Sequence, residues 1–239
     1  MHINKTLITC IDNQTDEYCP IIQKGNDNSD ENIYQRQPGI FLNTKDNTLK
    51  IFISTIGQQQ VYGEFITSNA RLLQNKWHLI SFIKQGEKVK LYVNGILDGI
   101  KFLDTQTLQN DGNLYVGNTP SSQQKQTCNL DMYIDDLKIY NKGLNNFEVQ
   151  AEIGNQLGGI EPSALHFGCL NCELQKAIDS CIDGYHLCTT IELYSGIYQV
   201  ARIMGWIEWN NKIWTYNSFI DKLNQNQQGL GLGICCKNI

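Results

Sequence analysis

Three consecutive strands predicted over residues 77–97 constrain the fold of this chain more than any other part of its sequence. The middle segment, residues 88–93, alternates between two sets of side chains, as in a strand with one buried face. The set predicted to be buried is Val89, Leu91 and Val93, and the set predicted to face the other way is Lys88, Lys90 and Tyr92. Asn94-Gly95 tolerates the positive φ angles of a two-residue type I′ turn, so the chain is expected to return as a third antiparallel strand. We expect Lys88 and Lys90 to be exposed to solvent.

Similar alternations recur from residue 40 to residue 140, at a spacing typical of sandwiches and barrels. Residues 40–42 and 49–53 flank a polar turn and are predicted to form a hairpin. Residues 132–140 are predicted to form a long strand. Asn145-Asn146 provides a cap for a short helix that follows the strands. This part of the chain is therefore predicted to be all-β up to that helix.

Nine cysteines are distributed unevenly along the chain. Those in residues 1–160 are Cys10, Cys19 and Cys128, and those in residues 161–239 are Cys169, Cys172, Cys181, Cys188, Cys235 and Cys236. So many cysteines in a short tail with few long apolar runs indicate disulfides, which compensate for a thin core. Zinc is the alternative, because Cys169-x-x-Cys172 lies near His186 and Cys188. The adjacent cysteines 235 and 236 suit tetrahedral zinc poorly.

The tail also contains the signals of two helices. Residues 173–181 have apolar side chains at helical spacing, and Thr189 to Glu192 form a capping box at the start of a second helix. The apolar stripe predicted for the second helix is Ile191, Tyr194, Tyr198 and Ala201. Gly205 is predicted to end this helix. The tryptophans predicted to form the core of the tail are Trp206, Trp209 and Trp214.

Length and composition predict one large domain with an appendage. The chain has 239 residues, 41% hydrophobic and 18% charged, which is enough for a core and too polar for a membrane span. We predict a sheet domain over residues 1–157, a linker over residues 158–168 and a cysteine-rich module over residues 169–239. The net charge of −5 argues against nucleic-acid partners, because binding to phosphates requires clustered Lys and Arg.

Disulfides predict an extracellular or cell-surface protein that follows the secretory route. Asn4 and Asn13 begin Asn-x-Thr sequons and are candidate glycosylation sites. Residues 1–10 lack the basic start, the apolar stretch and the cleavage site of a signal peptide. We therefore expect the sequence to be a fragment of a longer chain or a processed product.

Two motifs in the sheet region stand out. The first is Lys76-Trp77-His78-Leu79 followed by residues 90–99, and the second is residues 133–144, beginning Tyr133-Ile134-Asp135-Asp136. Together they resemble the laminin G-like, concanavalin A-like jelly-roll superfamily. The resemblance covers about residues 1–155. It implies an antiparallel two-sheet jelly roll, which is common in adhesion proteins, pentraxins and glycan-binding modules.

The resemblance also implies a strand that these residues do not provide. The family normally has further strands upstream of the segment that Met1-His2-Ile3 matches. A sheet edge without its strand leaves backbone groups unpaired, so we expect the strand to come from upstream sequence or from another protein chain. Cys10 and Cys19 can then close the loop between them, which leaves Cys128 to bond upstream or between molecules.

The tail is similar to a compact α+β C-type lectin-like module. The residues that carry this likeness are Ala177, Cys181, Gly184, Leu187, Glu192, Trp214-Thr215 and the closing Gly231-x-Gly233-Ile234-Cys235-Cys236. The calcium-dependent sugar motif of true C-type lectins has no counterpart. Glu161-Pro162-Ser163 lies before the module, and Trp209-Asn210-Asn211 lacks the final Asp. We expect a disulfide-rich relative without calcium-dependent sugar binding.

Candidate chemistry is sparse. Asp135-Asp136 is the nearest carboxylate pair, but neighbours on a strand point to opposite faces, whereas glycosidases need both carboxylates across one cleft. Related jelly rolls often hold calcium, for which Asp131 and Asp135 are the candidate ligands. His78 and His186 lie in no nucleophile motif and are interpreted as packing or hydrogen-bonding residues. The segment from Gly229 to Gly233 is interpreted as a tight disulfide-bound turn.

We therefore predict a non-enzymatic extracellular structural or adhesion module within a larger secreted or surface assembly. Its expected partners are other protein chains or the upstream part of the same chain, and no cofactor is expected apart from the calcium considered above. Two alternatives stay open. One is a glycan-binding lectin module, and the other is a fragment of a polysaccharide hydrolase.

Overall fold

The computed structural model describes residues 2–4, 18–28, 33–57, 63–74, 76–119, 131–152, 164–207, 212–216 and 229–238. The chain forms two compact units. Unit 1 consists of Met1–His78, Phe82–Leu91 and Gly99–Gly143, and unit 2 consists of Leu79–Ser81, Tyr92–Asp98 and Leu144–Ile239. A short piece of the predicted sheet domain, Tyr92–Asp98, thus belongs to the same unit as the cysteine-rich tail.

Strands dominate the described residues. In chain order they are β1 (His2–Asn4), β2 (Tyr18–Lys24), β3 (Asp27–Asn28), β4 (Ile33–Tyr34), β5 (Gly39–Asn43), β6 (Thr48–Ile53), β7 (Glu64–Arg71), β8 (Lys76–Trp77), β9 (Ile80–Gln85), β10 (Lys88–Val93), β11 (Ile96–Phe102), β12 (Leu114–Val116), β13 (Asp131–Tyr133), β14 (Leu165–Cys172), β15 (Tyr185–Leu187), β16 (Ile213–Trp214) and β17 (Gly231–Lys237). The helices are α1 (Asn146–Ala151), α2 (Leu174–Asp179), α3 (Thr190–Glu192) and α4 (Tyr198–Ile203), with a π-helical stretch, Leu193–Ile197, between the last two. None of the described helices has the length and apolarity needed to cross a bilayer.

Unit 1 contains a five-stranded sheet of order β12-β2-β5-β6-β7, a three-stranded sheet of order β13-β1-β8 and the small pair β3-β4. The strand pairs in these sheets are antiparallel. Strands β5 and β6 form the predicted hairpin. Its turn is stabilised by side chains, because Asn43 Oδ1 accepts a hydrogen bond from Lys45 N and Asp46 Oδ1 accepts one from Thr48 N, both at 3.0 Å.

One face of β6 builds the core of unit 1. Leu49, Ile51 and Ile53 alternate along the strand and are at most 1% exposed. Ile53 packs against Val89 and Leu103. Complete burial of such an aliphatic side chain contributes about 1.5–3 kcal/mol. The side chains of Lys50 and Phe52 consequently lie on the opposite face of this sheet.

The predicted turn at Asn94-Gly95 is confirmed by φ angles of 50° and 74°. Val89, Leu91 and Val93 are buried as predicted. The exposure expected for the other set was wrong, because its face is packed as well. Within unit 1, Lys88 Nζ lies 5.4 Å from the Phe102 ring, and burial lowers the pKa of Lys90.

Tyr92 belongs to that second set and lies in unit 2. It is 1% exposed, and its hydroxyl donates a hydrogen bond to Asn146 Oδ1 at the start of α1. Burial raises the pKa of Tyr92 to about 12, and nearby Tyr185 adds to the effect.

The long strand predicted over residues 132–140 was also wrong, since β13 ends at Tyr133. Asp136 adopts a left-handed backbone with φ 51°, and its N–H donates to Asp135 Oδ1 at 2.8 Å. This local hydrogen bond turns the chain away from a ladder. Leu137 and Ile139 then project into solvent, with 47% and 78% exposure.

Unit 2 is built on a mixed sheet. Its strand order is β15-β17-β14-β11-β10-β9, and β16 pairs with β17. The last three strands belong to this unit only through residues 96–98 of β11, 92–93 of β10 and 80–81 of β9. The tail joins the Tyr92–Asp98 hairpin segment through a parallel pairing of Leu97 in β11 with His166 in β14. Residues 165–168, which the sequence analysis places in the linker, begin β14, and residues 158–163 lie outside the described residues.

Two helices of unit 2, α1 and α3, begin where their caps were predicted. Asn145 and Thr189 each form a capping box, the first with Glu148 and the second with Glu192. Gly205 follows α4 with φ 71°, which confirms it as the helix stop.

The predicted apolar stripe of the second helix was wrong except at Ala201, which is buried. Ile191 is 63% exposed and Tyr194 is 85% exposed. The buried residues are Leu193, Ile197, Val200 and Ala201. Gly196, with a non-helical φ of 122°, kinks the chain between the two helical segments, so residues before and after it do not continue one helical face.

Three disulfides cross-link the tail: Cys169–Cys172, Cys181–Cys235 and Cys188–Cys236. Trp206 and Trp214 are buried as predicted, while Trp209 lies outside the described residues. The turn predicted from Gly229 to Gly233 was wrong, because Gly231 and Gly233 lie in β17. Glycine is needed at both positions because a side chain would be crowded there. A Cβ on Gly231 would lie 2.9 Å from Trp214 Nε1, and a Cβ on Gly233 would lie 3.1 Å from Ala177 Cβ.

Reduction is expected to unfold unit 2 before unit 1. The Cys181–Cys235 and Cys188–Cys236 bonds span 54 and 48 residues. On the chain-entropy account each contributes about 4 kcal/mol. Hydrogen exchange in dithiothreitol should show β14 and β17 losing protection at a reductant concentration that leaves β5 and β6 protected. Simultaneous loss in all four strands would contradict this.

Candidate binding surface

The outer face of the five-stranded sheet, opposite the core, collects aromatic and cationic side chains in unit 1. Phe52 in β6 lies directly opposite Phe65 in β7, and Lys50 lies opposite both Phe41 and Thr67. Directly opposed residues of antiparallel strands share a face and are close neighbours. The register of three strands therefore brings these side chains together.

Four rings on this face form what we call the aromatic cluster: Tyr18, Phe41, Phe52 and Phe65. The Phe52 centroid lies 5.5 Å from that of Phe41, 6.1 Å from that of Phe65 and 6.4 Å from that of Tyr18. Such tilted and edge-on pairs each contribute about 0.5–1.5 kcal/mol beyond their burial. Phe41 and Phe52 are buried, whereas Phe65 is 49% exposed. The cluster thus presents one ring to solvent on a buried aromatic base.

Lys50 places its ammonium group inside the aromatic cluster. Its Nζ lies 4.2 Å from the Phe65 centroid, 4.8 Å from that of Tyr18 and 5.1 Å from that of Phe52. It also donates a hydrogen bond to the Tyr18 hydroxyl at 3.4 Å. A cation over aromatic faces is stabilised by about 0.5–2 kcal/mol. The ammonium group is therefore held at a defined position beside the exposed Phe65 ring.

Arg36 anchors the cluster. It is 2% exposed, and its guanidinium carbon lies 5.0 Å from the Phe41 centroid and 5.2 Å from that of Phe52. Arg36 N donates to Ser54 Oγ at 2.8 Å, and Ser54 N donates to Arg36 O at 2.9 Å. These bonds fix the Arg36 backbone to the end of the Phe52 strand, so the two buried rings are held firmly.

Two carboxylates are buried among the described residues, and each has a structural partner. Glu64, in unit 1, lies 3.1 Å from Lys101 Nζ and accepts a hydrogen bond from Asp104 N at 2.9 Å. Asp98, in unit 2, accepts a hydrogen bond from Trp206 Nε1 at 2.8 Å. Both carboxylates therefore form interactions that stabilise the local structure: Glu64 with Lys101 and the Asp104 backbone, and Asp98 with Trp206.

Of the two candidate calcium ligands, only the side chain of Asp135 lies in the described part of the chain. Asp135 is exposed and accepts the Asp136 N–H, and the side chain of Asp131 lies outside the described residues. No group of three or more His, Cys, Asp or Glu side chains that could hold a metal occurs within the described ranges. The calcium site stays a prediction.

The other predicted site residues are placed as follows. Asn4 lies in β1, and Asn13, Cys10 and Cys128 lie outside the described residues. Cys19 is disulfide-bonded and 1% exposed. The six tail cysteines are all in disulfides, so they do not provide the thiolates that the zinc alternative requires.

The two singled-out histidines form hydrogen bonds, as predicted. His78 is buried, and its Nε2 lies 3.0 Å from Leu73 O. His186 Nδ1 lies 2.7 Å from Asn238 Oδ1, and its Nε2 lies 3.1 Å from Glu192 Oε2. Both rings are thereby fixed in position.

Glu192 connects a helix start to His186. Burial alone raises the pKa of this carboxyl, but hydrogen bonds outweigh the burial and the net pKa is lowered. The donors are Thr189 N and Thr189 Oγ1, each at 2.7 Å from Oε2, together with His186. The carboxylate form of Glu192 is therefore part of the folded structure of unit 2.

These sheets define an antiparallel jelly-roll module followed by a disulfide-bonded α+β region. The family model described as the concanavalin A-like lectin/glucanases superfamily matches residues 11–150. This is more than half of the chain, and the chain belongs to that superfamily. A second family model, a domain of unknown function (DUF8019), matches residues 162–239.

Among solved structures, the chain is similar to an S-layer domain-containing protein (residues 221–444) from Clostridium thermocellum ATCC 27405. The two share 23% sequence identity with a TM-score of 0.30, over 63% of this chain and 70% of that chain. None of the curated proteins matches the chain.

The aromatic cluster was missed by the sequence analysis. The alternation of Lys50 and Phe52 with buried aliphatic residues is visible in the sequence and could have identified a second face with a cation beside a ring. Tyr18 and Phe65 are distant in sequence, so their presence required the register of the sheet.

Replacing Glu192 by Gln tests the contribution of its charge to stability. Gln still allows a capping box, so E192Q removes mainly the charge. A carboxyl whose pKa is lower in the folded than in the unfolded state stabilises the fold above its unfolded pKa, and this is lost as the pH falls. Thermal unfolding should show E192Q less stable than wild type at pH 7, with the difference vanishing as the pH falls below the ordinary value of 4.5.

Glu173→Gln is the matched control, because Glu173 precedes α2 without a side-chain capping bond. It should change stability at pH 7 by no more than about 0.5 kcal/mol. A pH-independent difference between wild type and E192Q would contradict the proposed role of the carboxylate.

Proposed function

We propose that the chain is a non-enzymatic extracellular module with a structural or adhesive role in a secreted or surface assembly. The observation that carries this proposal is the pairing of all six tail cysteines in disulfides. Disulfides persist in oxidising compartments and are rare in the cytosol. They also stabilise a unit with few long apolar runs.

The engaged carboxylates support the non-enzymatic part of the proposal. Glycoside hydrolysis on a jelly roll requires two carboxylates that face one substrate. Glu64 is neutralised by Lys101, and Asp98 is hydrogen-bonded to Trp206. Asp135 is bonded to the backbone of its own neighbour. Each of these carboxylates has a structural task.

Protein partners are part of the proposal. Trp77 and Tyr133, 54% and 59% exposed, come from the two outer strands of the three-stranded sheet, and Leu137 and Ile139 follow Tyr133 in the chain. Exposed apolar and aromatic side chains are typical of surfaces that contact other proteins, and Trp77 and Tyr133 lie opposite the same residue, His2, of the middle strand. This surface is suited to an adhesion or assembly contact.

Glycan binding is the second candidate function. The observation that favours it is the half-exposed Phe65 ring beside Lys50 and Thr67 on the outer sheet face. Aromatic rings pack against the C–H face of a sugar, and ammonium and hydroxyl groups provide hydrogen bonds to its oxygens. The superfamily description includes lectins as well as glucanases.

Measurement of free thiols by alkylation tests the extracellular assignment. The chain produced in an oxidising secretory compartment should show no alkylation of its six tail cysteines when it is unfolded without reductant and analysed by peptide mass spectrometry. Production in a reducing cytosol should give alkylated cysteines and an unprotected unit 2. A folded unit 2 with free thiols throughout would contradict the proposal.

Incubation with polysaccharides tests the non-enzymatic assignment. The disulfide-bonded chain should release no reducing ends from a panel of neutral and acidic polysaccharides over a day. Release above that of a heat-denatured sample would instead establish the hydrolase alternative.

A further inference from the structure

We propose that the aromatic cluster and Lys50 form a binding site for an acidic sugar residue of a glycan, one that carries a carboxylate or a sulfate. The inference rests on the glycan-binding form of the proposed function and names its ligand class. Phe65 would contact the ring of the sugar, and Lys50 would bind its anionic group.

The charge of Lys50 is the first argument. Its Nζ contacts three rings and the Tyr18 hydroxyl, and in the described part of the chain no carboxylate lies within ion-pair distance of it. Lys101, in the same unit, is paired with Glu64 at 3.1 Å. Aromatic faces stabilise a cation but do not neutralise it. An ammonium group held in this way is ready to form a charge-assisted hydrogen bond with an anion.

The exposed ring beside that charge is the second argument. Phe65 is 49% exposed and lies 4.2 Å from Lys50 Nζ, measured at its centroid. A sugar stacked on this ring would bring an acidic substituent within reach of the ammonium group. Thr67, exposed and directly opposite Lys50, adds a hydroxyl that both donates and accepts.

Rigidity is the third argument. Phe52 supports both Phe65 and Lys50, and Arg36 packs on Phe52 from its buried position. Side chains that are already fixed lose little conformational entropy on binding. The site is therefore preorganised in a way that a lone surface lysine is not.

Two other ligand classes are excluded, one because Lys50 already lies among the rings and the other because of the net charge of the chain. A quaternary ammonium ligand would meet Lys50 already inside the rings and would be repelled by it. Long polyanions such as nucleic acids are disfavoured by the net charge of −5. The site suits a single acidic sugar within an otherwise neutral or sparsely charged glycan.

Binding to matched oligosaccharides tests the inference with the full, disulfide-bonded chain. Three ligands of equal length would be titrated by calorimetry: a neutral oligosaccharide, its uronic-acid counterpart and its monosulfated counterpart. We expect at least one acidic form to bind about tenfold more tightly than the neutral form, as one charge-assisted hydrogen bond would provide. The acid that binds better identifies the source of the anion.

Variants separate the two parts of the site. Lys50→Met keeps the apolar stem and should abolish the preference for the acidic sugar, while Lys50→Arg should keep it. Phe65→Ala should weaken binding of acidic and neutral forms alike. The matched controls are Lys88→Met and Phe102→Ala, a second Lys–Phe pair of unit 1 in which Phe102 is 65% exposed. Both controls should bind within about twofold of wild type, since surface changes away from a site have small effects.

Each outcome bears on a different statement. Equal binding of acidic and neutral forms, or an unchanged preference in a folded K50M variant, would overturn the inference and leave glycan binding standing. Absence of binding to all three ligands would overturn the inference and count against the glycan-binding candidate. Neither result would affect the extracellular assignment, which depends on the measurement of free thiols in the tail.

Discussion

Two adjacent cysteines in β17 hold unit 2 together. Neighbouring residues of a strand point to opposite faces, so Cys235 reaches Cys181 on one face and Cys236 reaches Cys188 on the other. Strand β17 is paired with β14, β15 and β16, and the covalent bonds therefore fix the sheet at its most connected strand. Space for Cys235 comes from Gly168, where a Cβ would lie 2.8 Å from Gly233 O and 3.1 Å from Cys235 Sγ.

The sequence predicts correctly those features whose partners lie a few residues away. Asn94-Gly95 defines its own turn, and the Asn145 and Thr189 capping boxes are complete within four residues. Longer patterns failed where one residue changed the backbone. Gly196 kinks the helix and changes which residues are buried, and Asp136 ends the extended backbone that the alternation after β13 predicts. Periodicity cannot anticipate these changes because it assumes an uninterrupted element.

The candidate site required more information than any single strand provides. The sequence places Lys50 and Phe52 on one face of a strand, but the aromatic cluster also depends on the neighbouring strand β7, whose register is set by a bulge. Ser68 marks that bulge, since its Oγ accepts a hydrogen bond from Leu49 N and donates one to Ala70 O. The resulting shift pairs Lys50 with Thr67. Cross-strand neighbours of this kind are a property of the folded sheet.

The vicinal pair in β17 also distinguishes the correct sheet from a slipped one. If Cys235 and Cys236 exchanged their partners, β17 would have to slide by one residue, and every side chain on it would change faces. Both faces of β17 are buried, so Ile234 would then lose its present neighbours, and Trp214 would meet a side chain in place of Gly231. Packing around β17 therefore favours the arrangement in which Cys235 bonds to Cys181 and Cys236 bonds to Cys188.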